Sequence, residues 1–253
     1  MEFFTSGLHA GNILVTLLIV AALLGVSTRA HMLDKTGARA AAILGLIVGG
    51  LGHWTWLLIL LGFLLSSHKA TKWRFEEKRA LGLCESTDGH RGWTNVVANG
   101  AIPGMICLFA YLSEDWANVV WVFGAAVAVA TSDTFASEIG CLDKRVRMIT
   151  TFKTCQQGEN GGFSPNGQLA AAIGSIVVAL LTWLTWYLIA QPASILDGLN
   201  LTLLLALIGW LGCQIDSYLG AIFENRGYLT KGSVNSLAIL GGVVLMVVYQ
   251  MYV

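Results

Sequence analysis

Long apolar runs alternate with short charged connectors along the whole chain. A membrane-crossing helix needs about 20 predominantly apolar residues. Residues 8–27, 93–112, 118–138, 167–190, 198–222 and 233–252 each supply such a run. The stretch 40–67 breaks the pattern. It is too long for one upright helix, and Gly49-Gly50-Leu51-Gly52-His53 interrupts its middle. Both of its flanks are basic, which puts both ends on the same side and requires an even number of crossings. Two short helices or a re-entrant hairpin meet that requirement. The prediction is an all-α polytopic integral membrane protein. It has six full transmembrane helices plus a short helical hairpin, about eight crossings in all, in a single membrane-embedded domain over residues 1–253.

The charges sort the connectors into two kinds. All fifteen Lys and Arg residues fall within 28–39, 68–92, 139–166 and 223–232. The remaining connectors carry acids alone: Glu2, then Glu114 and Asp115, then Asp197. Cytoplasmic loops are enriched in Lys and Arg, so the four basic segments are predicted on the cytoplasmic face and both termini on the other. Only 12% of residues are charged, about half the usual fraction for a soluble domain. The expected partner is therefore the bilayer, with no nucleic acid, and a homo-oligomer stays open. Most of the nine tryptophans lie near predicted helix ends, the place of an interfacial aromatic belt. The five cysteines lack paired metal spacing, and His31, His53, His68 and His90 show no i, i+4 pairing with acids or Cys. No zinc site is expected.

Polar groups inside apolar spans are costly and mark function by default. The run Thr131-Ser132-Asp133-Thr134-Phe135-Ala136-Ser137-Glu138-Ile139-Gly140 closes the span 118–138 at its cytoplasmic end. Asp133, Ser137 and Gly140 share one helix face, and Gly140 leaves room for a ligand or a neighbouring helix. Asp133 is a natural hard-oxygen ligand for Mg²⁺, which binds through one or two carboxylates plus phosphate oxygens. A second carboxylate, Asp216, stands a few residues from another cytoplasmic helix end. Two such aspartates at equal depth could share a metal. Asn95 and Asn99 occupy one face of the first turns of a third span, and helix N-termini favour anions; helix packing is the alternative. The loop 158–167 is Gly-rich and leads into the span 167–190. It reads as a phosphate cradle or as an ordinary connector, and no Gly-Lys-Ser/Thr follows to make it a Walker loop. Lys72 belongs to a charged helical extension over 69–79, whose simplest role is anchoring at anionic lipid.

Five segments in order, 71–82, 91–100, 132–140, Asn160-Gly161-Gly162 and Asp216-Ser217-x-x-Gly220, resemble the DUF92 / transmembrane protein 19 family. The likeness runs from near the first span to the C-terminus. That family includes plant phytyl-phosphate kinase, which makes phytyl diphosphate. It is also similar to the CTP-dependent lipid transferases, whose Asp-x-x-Ala, Ser-Pro and Glu-Gly elements have counterparts at Asp133 to Ala136, Ser164-Pro165 and Glu159 to Gly162. Two departures stand out. Glu159 takes a position where the family often has Thr or Ser. The stretch before the last span, usually acidic, reads Lys231-Gly232-Ser233-Val234-Asn235, so only Asn235 carries over.

The resemblance implies a membrane phosphotransferase. It would move the γ-phosphoryl group of a nucleoside triphosphate, CTP by expectation, onto an isoprenyl monophosphate such as phytyl phosphate at the cytoplasmic face. Asp133 and Asp216 would hold Mg²⁺, with Glu138 as a further catalytic-site metal or hydrogen-bond residue. Lys72, Arg91, Asn95, Asn99, Lys153, Asn160, Gly161, Gly162, Ser164 and Asn235 would line the nucleotide and phosphates. The alternatives are a cytidylyltransferase making a CDP-lipid and, in another class, a transporter or scramblase.

Overall fold

The computed structural model describes residues 5–84 and 89–252. In chain order the helices are α1 (Ala10–Arg29), α2 (Lys35–Leu51), α3 (Trp56–Lys72), the short α4 (Phe75–Ala80), α5 (Trp93–Ser113), α6 (Trp116–Gly140), α7 (Pro165–Ala190), α8 (Leu199–Leu219) and α9 (Lys231–Tyr252). Strands β1 (Arg147–Met148) and β2 (Gly162–Phe163) lie between α6 and α7. They pair antiparallel, Arg147 opposite Phe163, and are a small addition to the all-α expectation. Among the described residues, six helices are long and apolar enough to cross a membrane: α1, α5, α6, α7, α9, and α8 with its continuation to Glu224. They coincide with the six predicted runs.

Local signals set several boundaries. Asp34 caps α2, its Oδ1 accepting from the amides of Thr36 and Gly37 at 2.7 Å each. Ser164 caps α7 through the Gly167 amide, with Pro165 in the first turn, where its missing N–H costs nothing. Past Leu219, α8 widens into a π turn over Gly220–Glu224, a device found often at functional sites.

The predicted hairpin is α2 and α3, turning at residues 52–55. Its limbs are longer than the apolar stretch 40–67, because Lys35, Arg39, Lys69 and Lys72 belong to helix ends rather than to connectors. Each limb of 17 residues is about 25 Å long. The limbs diverge: α2 packs mainly on α5 and α1, and α3 mainly on α6 and α7. Asn12 staples α1 to the hairpin tip, donating to the Gly7 and Gly49 carbonyls and accepting from the Trp54 amide.

Helix α6 is the core. Its apolar window is 83% buried, so neighbours surround it on nearly every side. Small residues let those helices approach closely: a Cβ on Gly209 would strike Ala128, and one on Gly212 or Gly242 would strike Val129. Trp56 and Trp121 correct the belt expectation. Both are fully buried, Trp56 against Phe123 and Trp121 against Trp186.

Contacts gather the four basic segments at one end of the bundle. The Asp34 amide donates to the Arg91 carbonyl, Thr71 to Glu138, and Asn225 to the Asn160 carbonyl. At the opposite end, the Gly7 amide meets the Gly52 carbonyl, Trp116 Nε1 donates to Leu51, and Gln250 donates to Asn118. Both described chain ends therefore lie away from the basic segments.

Candidate functional site

The basic end of the bundle carries two neighbouring cavities. The first is polar. Helix α6 contributes Asp133, Ser137, Glu138 and Gly140; α8 contributes Asp216 and Ser217; the α6–α7 loop contributes Asn160, Gly161, Gly162 and Ser164. The one-face spacing of Asp133, Ser137 and Gly140 thus points all three into one cavity. Asp133 and Asp216 meet across the α6–α8 interface, close enough for their carboxyl groups to interact directly. Asp216 Oδ2 is buried and makes no hydrogen bond among the described residues. Buried acid oxygens are normally satisfied, so this one is open to an incoming ligand. Two facing hard-oxygen donors fit Mg²⁺ completed by phosphate and water oxygens. Among the described residues, no group of three or more His, Cys, Asp or Glu could form an all-protein metal cage.

Several residues of this cavity carry structural duties as well. A Cβ on Gly140 would lie 2.9 Å from the Gly167 Cα, so Gly140 admits helix α7. Gly161 has a φ of +84°, and a Cβ there would strike Ala221 and the Ser217 carbonyl. Its glycine is thus required by packing of the loop on α8, apart from any approach to a nucleotide. Ser164 serves the α7 cap. The Glu159 carboxylate accepts from the Gln156 amide of its own loop at 3.0 Å. At the foot of the loop, two hydrogen bonds from Arg145 hold the Asp143 carboxyl down at about 2. Asp143 also accepts from the Asn166 amide, which ties the loop to α7.

Glu138 sits deeper. It pairs with Lys78 at 2.6 Å, and both side chains are buried. Lys78 Nζ also donates to the Thr71 carbonyl at 2.8 Å, and Thr71 Oγ1 donates to Glu138 Oε1 at 2.7 Å. Arg91 reaches Thr71 Oγ1 at 3.5 Å. A chain of polar contacts therefore runs from Glu138, at the edge of the first cavity, to Arg91, at the mouth of the second.

The second cavity opens in the wedge between α2 and α3. Arg91, Asn95 and Asn99 stand at its mouth above apolar walls. His68, Lys72, His90 and Arg91 are near enough for their charges to interact. Asn99 donates to the Asn95 carbonyl at 2.9 Å. The sequence grouped these residues with the Gly-rich loop, whereas the fold divides them between two cavities. Lys153 joins neither; it lies in an exposed depression formed by its own loop. Asn235 is buried on α9.

Three charged groups were missed as site elements. Lys231 and Glu224 line the first cavity, and the charges of both act on Asp216. The basic replacement in the stretch before α9 was the available signal for Lys231. Lys78 was counted among anchoring charges, although a carboxylate buried within a span calls for a partner.

Fold and site together define a polytopic helical membrane protein with a paired-acid pocket at its basic end. The family model described as integral membrane protein DUF92 matches residues 18–245, and the chain belongs to that family. An uncharacterized membrane protein of Methanocaldococcus jannaschii is 30% identical over 94% of both chains. Protein PGR of Arabidopsis thaliana is 33% identical over 67% of this chain and 65% of its own length. Protein VTE6, chloroplastic, of the same plant is 26% identical over 87% of this chain and 66% of its own. No solved structure matches the chain.

Proposed function

We propose that this protein is a membrane-embedded phosphotransferase, a single catalytic domain over residues 1–253. It moves the γ-phosphoryl group of a nucleoside triphosphate, CTP by preference, onto an isoprenyl monophosphate such as phytyl phosphate. The observation that carries the reading is the joining of two unlike cavities at one end of the bundle. One holds the facing carboxyl groups of Asp133 and Asp216. The other presents Arg91, Asn95 and Asn99. Arg91, Thr71 and Glu138 connect them. The family resemblance supplies the substrate class.

The reaction brings two anions together, so catalysis is mostly positioning and charge compensation. An oxygen of the acceptor monophosphate attacks the γ-phosphorus. The bond from γ-phosphorus to the β–γ bridging oxygen breaks, and the nucleoside diphosphate leaves. The attacking oxygen is already ionised, so no strong general base is needed. Asp133 and Asp216 would hold Mg²⁺, whose role is to offset charge on the triphosphate. Lys231 adds a cation beside the acid pair. Asn160 and the Gly161-Gly162 turn border the triphosphate, with Asn235 deeper on the α9 side. Arg91, Asn95, Asn99 and Lys72 receive the acceptor phosphate. Glu138, held by Lys78 and Thr71, fixes the polar link between the two cavities.

The reading is tested with purified protein in detergent, labelled CTP, Mg²⁺ and a panel of isoprenyl monophosphates. Lipid diphosphate plus CDP is the expected product pair. CDP-lipid plus pyrophosphate would instead mark a cytidylyltransferase. No turnover with any pair would sink the enzymatic reading in favour of transport.

The same proposal places the basic end in the cytoplasm, with eight crossings and both termini outside. Single cysteines introduced at Glu114 and Asp197, on a background without reactive native thiols, should label from outside in intact cells. A cysteine at Lys144 should stay protected, and strong external labelling there would overturn the orientation.

A further inference from the structure

The cavity between α2 and α3 continues well below its polar mouth. Its side walls are apolar, including Leu24, Leu44, Leu60 and Phe63. Its floor, at the end away from Arg91, is formed by Val20, Gly45 and Leu57. All three floor residues are buried. The lining runs from Val20 to Ser27 on α1 and from Leu57 to Leu64 on α3. Seven residues of helix correspond to about 10 Å of depth. At the top, the Ser27 hydroxyl lines the cavity, is buried, and makes no hydrogen bond among the described residues. An unsatisfied buried hydroxyl beside a guanidinium suits a ligand oxygen. Among the described residues, no ion pair engages Arg91. Mouth, walls and floor together describe a slot for an amphiphile with an anionic head and a short rigid stretch of hydrocarbon.

We infer that this slot grips the first part of the acceptor's hydrocarbon chain, and that Gly45 sets how much of it is held. This rests on the phosphotransferase reading for the identity of the acceptor. Each isoprene unit lengthens an extended chain by roughly 5 Å, given carbon–carbon bonds of about 1.5 Å. The slot therefore holds about two units. Units beyond these leave sideways between α1 and α3, which barely touch each other. Gly45 is the sensitive position because it has no side chain at the floor. A Cβ there would already lie 3.0 Å from Val20 Cγ2 and 4.0 Å from Leu57 Cδ2. A larger side chain must project into the slot. Ala130, at the upper wall on α6, lies one turn from Asp133. Helix α6 thus carries both the upper wall of the slot and one of the paired acids.

The experiment uses the full-length protein in lipid nanodiscs and a two-unit isoprenyl monophosphate carrying a diazirine at its chain terminus. After irradiation, mass spectrometry should find adducts on α1, α2 and α3 around Val20, Gly45 and Leu57. Unlabelled isoprenyl monophosphate should remove them by competition. Gly45→Leu should abolish these adducts and raise KM for two-unit and longer acceptors by about tenfold or more, the usual scale of overpacking. The rise should be smaller for a one-unit acceptor, so the ratio of KM for two-unit to one-unit acceptors should increase. Adducts on the outer face of α5 and α9, labelling that competitor does not reduce, or unchanged KM in a folded Gly45→Leu variant would each overturn the inference. Labelling of the unaltered protein decides the matter even if the variant fails to fold. It also needs no turnover. Competed floor adducts without phosphoryl transfer would leave the slot standing and remove the kinase reading; transfer with adducts elsewhere would do the reverse.

Discussion

Asp216→Asn should abolish turnover while raising the melting temperature of the folded protein. Both halves follow from the facing acids of α6 and α8. Two carboxyl groups meet in a buried site, with Asp216 Oδ2 left unsatisfied, and they repel one another whenever both are ionised. Asparagine keeps the volume, removes one charge and supplies a donor to Asp133. The fold therefore gains stability. On the phosphotransferase reading, the site would lose an anionic ligand for the cation that offsets triphosphate charge, and the rate should fall by about 10³-fold or more, or some 4 kcal/mol. Asp133→Asn should behave alike. Thermal melting in detergent, with and without Mg²⁺ and CTP, reads both effects at once. The original protein should be stabilised by the combination, and neither variant should respond to it. Near-normal turnover in either variant would remove that residue from the site. A lowered melting temperature would show that the acids support the fold instead.

Much of this arrangement is visible in the sequence because membrane insertion constrains it so strongly. A span must be a continuous apolar helix, so six runs could be read as six helices. Charge sorting placed the hairpin ends together. It also grouped Asp133 with Asp216, since each lies a few residues from the C-terminal, basic end of its helix and α6 and α8, one span apart in the chain, run in the same direction. Other features depend on which helix touches which, and that information is tertiary. Arg91, Asn95 and Asn99 were grouped with the Gly-rich loop because all lie at the basic end. Their separation into two cavities follows from the divergence of α2 and α3, which no periodicity reveals. Trp56 and Trp121 looked interfacial by position, but neighbouring helices bury both, Trp56 against Phe123 and Trp121 against Trp186. Gly161 read as a place of close ligand approach, and the fold adds a packing demand of its own, since a Cβ there would meet Ala221 and the Ser217 carbonyl.

The Lys78–Glu138 pair gives the second large effect, this time on stability. Lys78 is fully buried, and besides Glu138 it satisfies carbonyls at the end of α3. It thus fastens α4 and α3 to the basic end of α6. Neutralising one partner strands the other charge in a dry site, which costs about 3–5 kcal/mol. Lys78→Met and Glu138→Gln should each lower the melting temperature sharply, and their residual activity should track the fraction of folded protein. Combining them removes both charges and should recover most of the loss, because burying a charge pair also carries a large desolvation penalty. Melting and turnover of the two single variants and the double variant form a complete cycle. If Glu138→Gln kept the original melting temperature yet lost all turnover, Glu138 would belong with Asp133 and Asp216 in the chemistry. A sharp fall in stability that the double variant reverses assigns it a structural role between the two cavities.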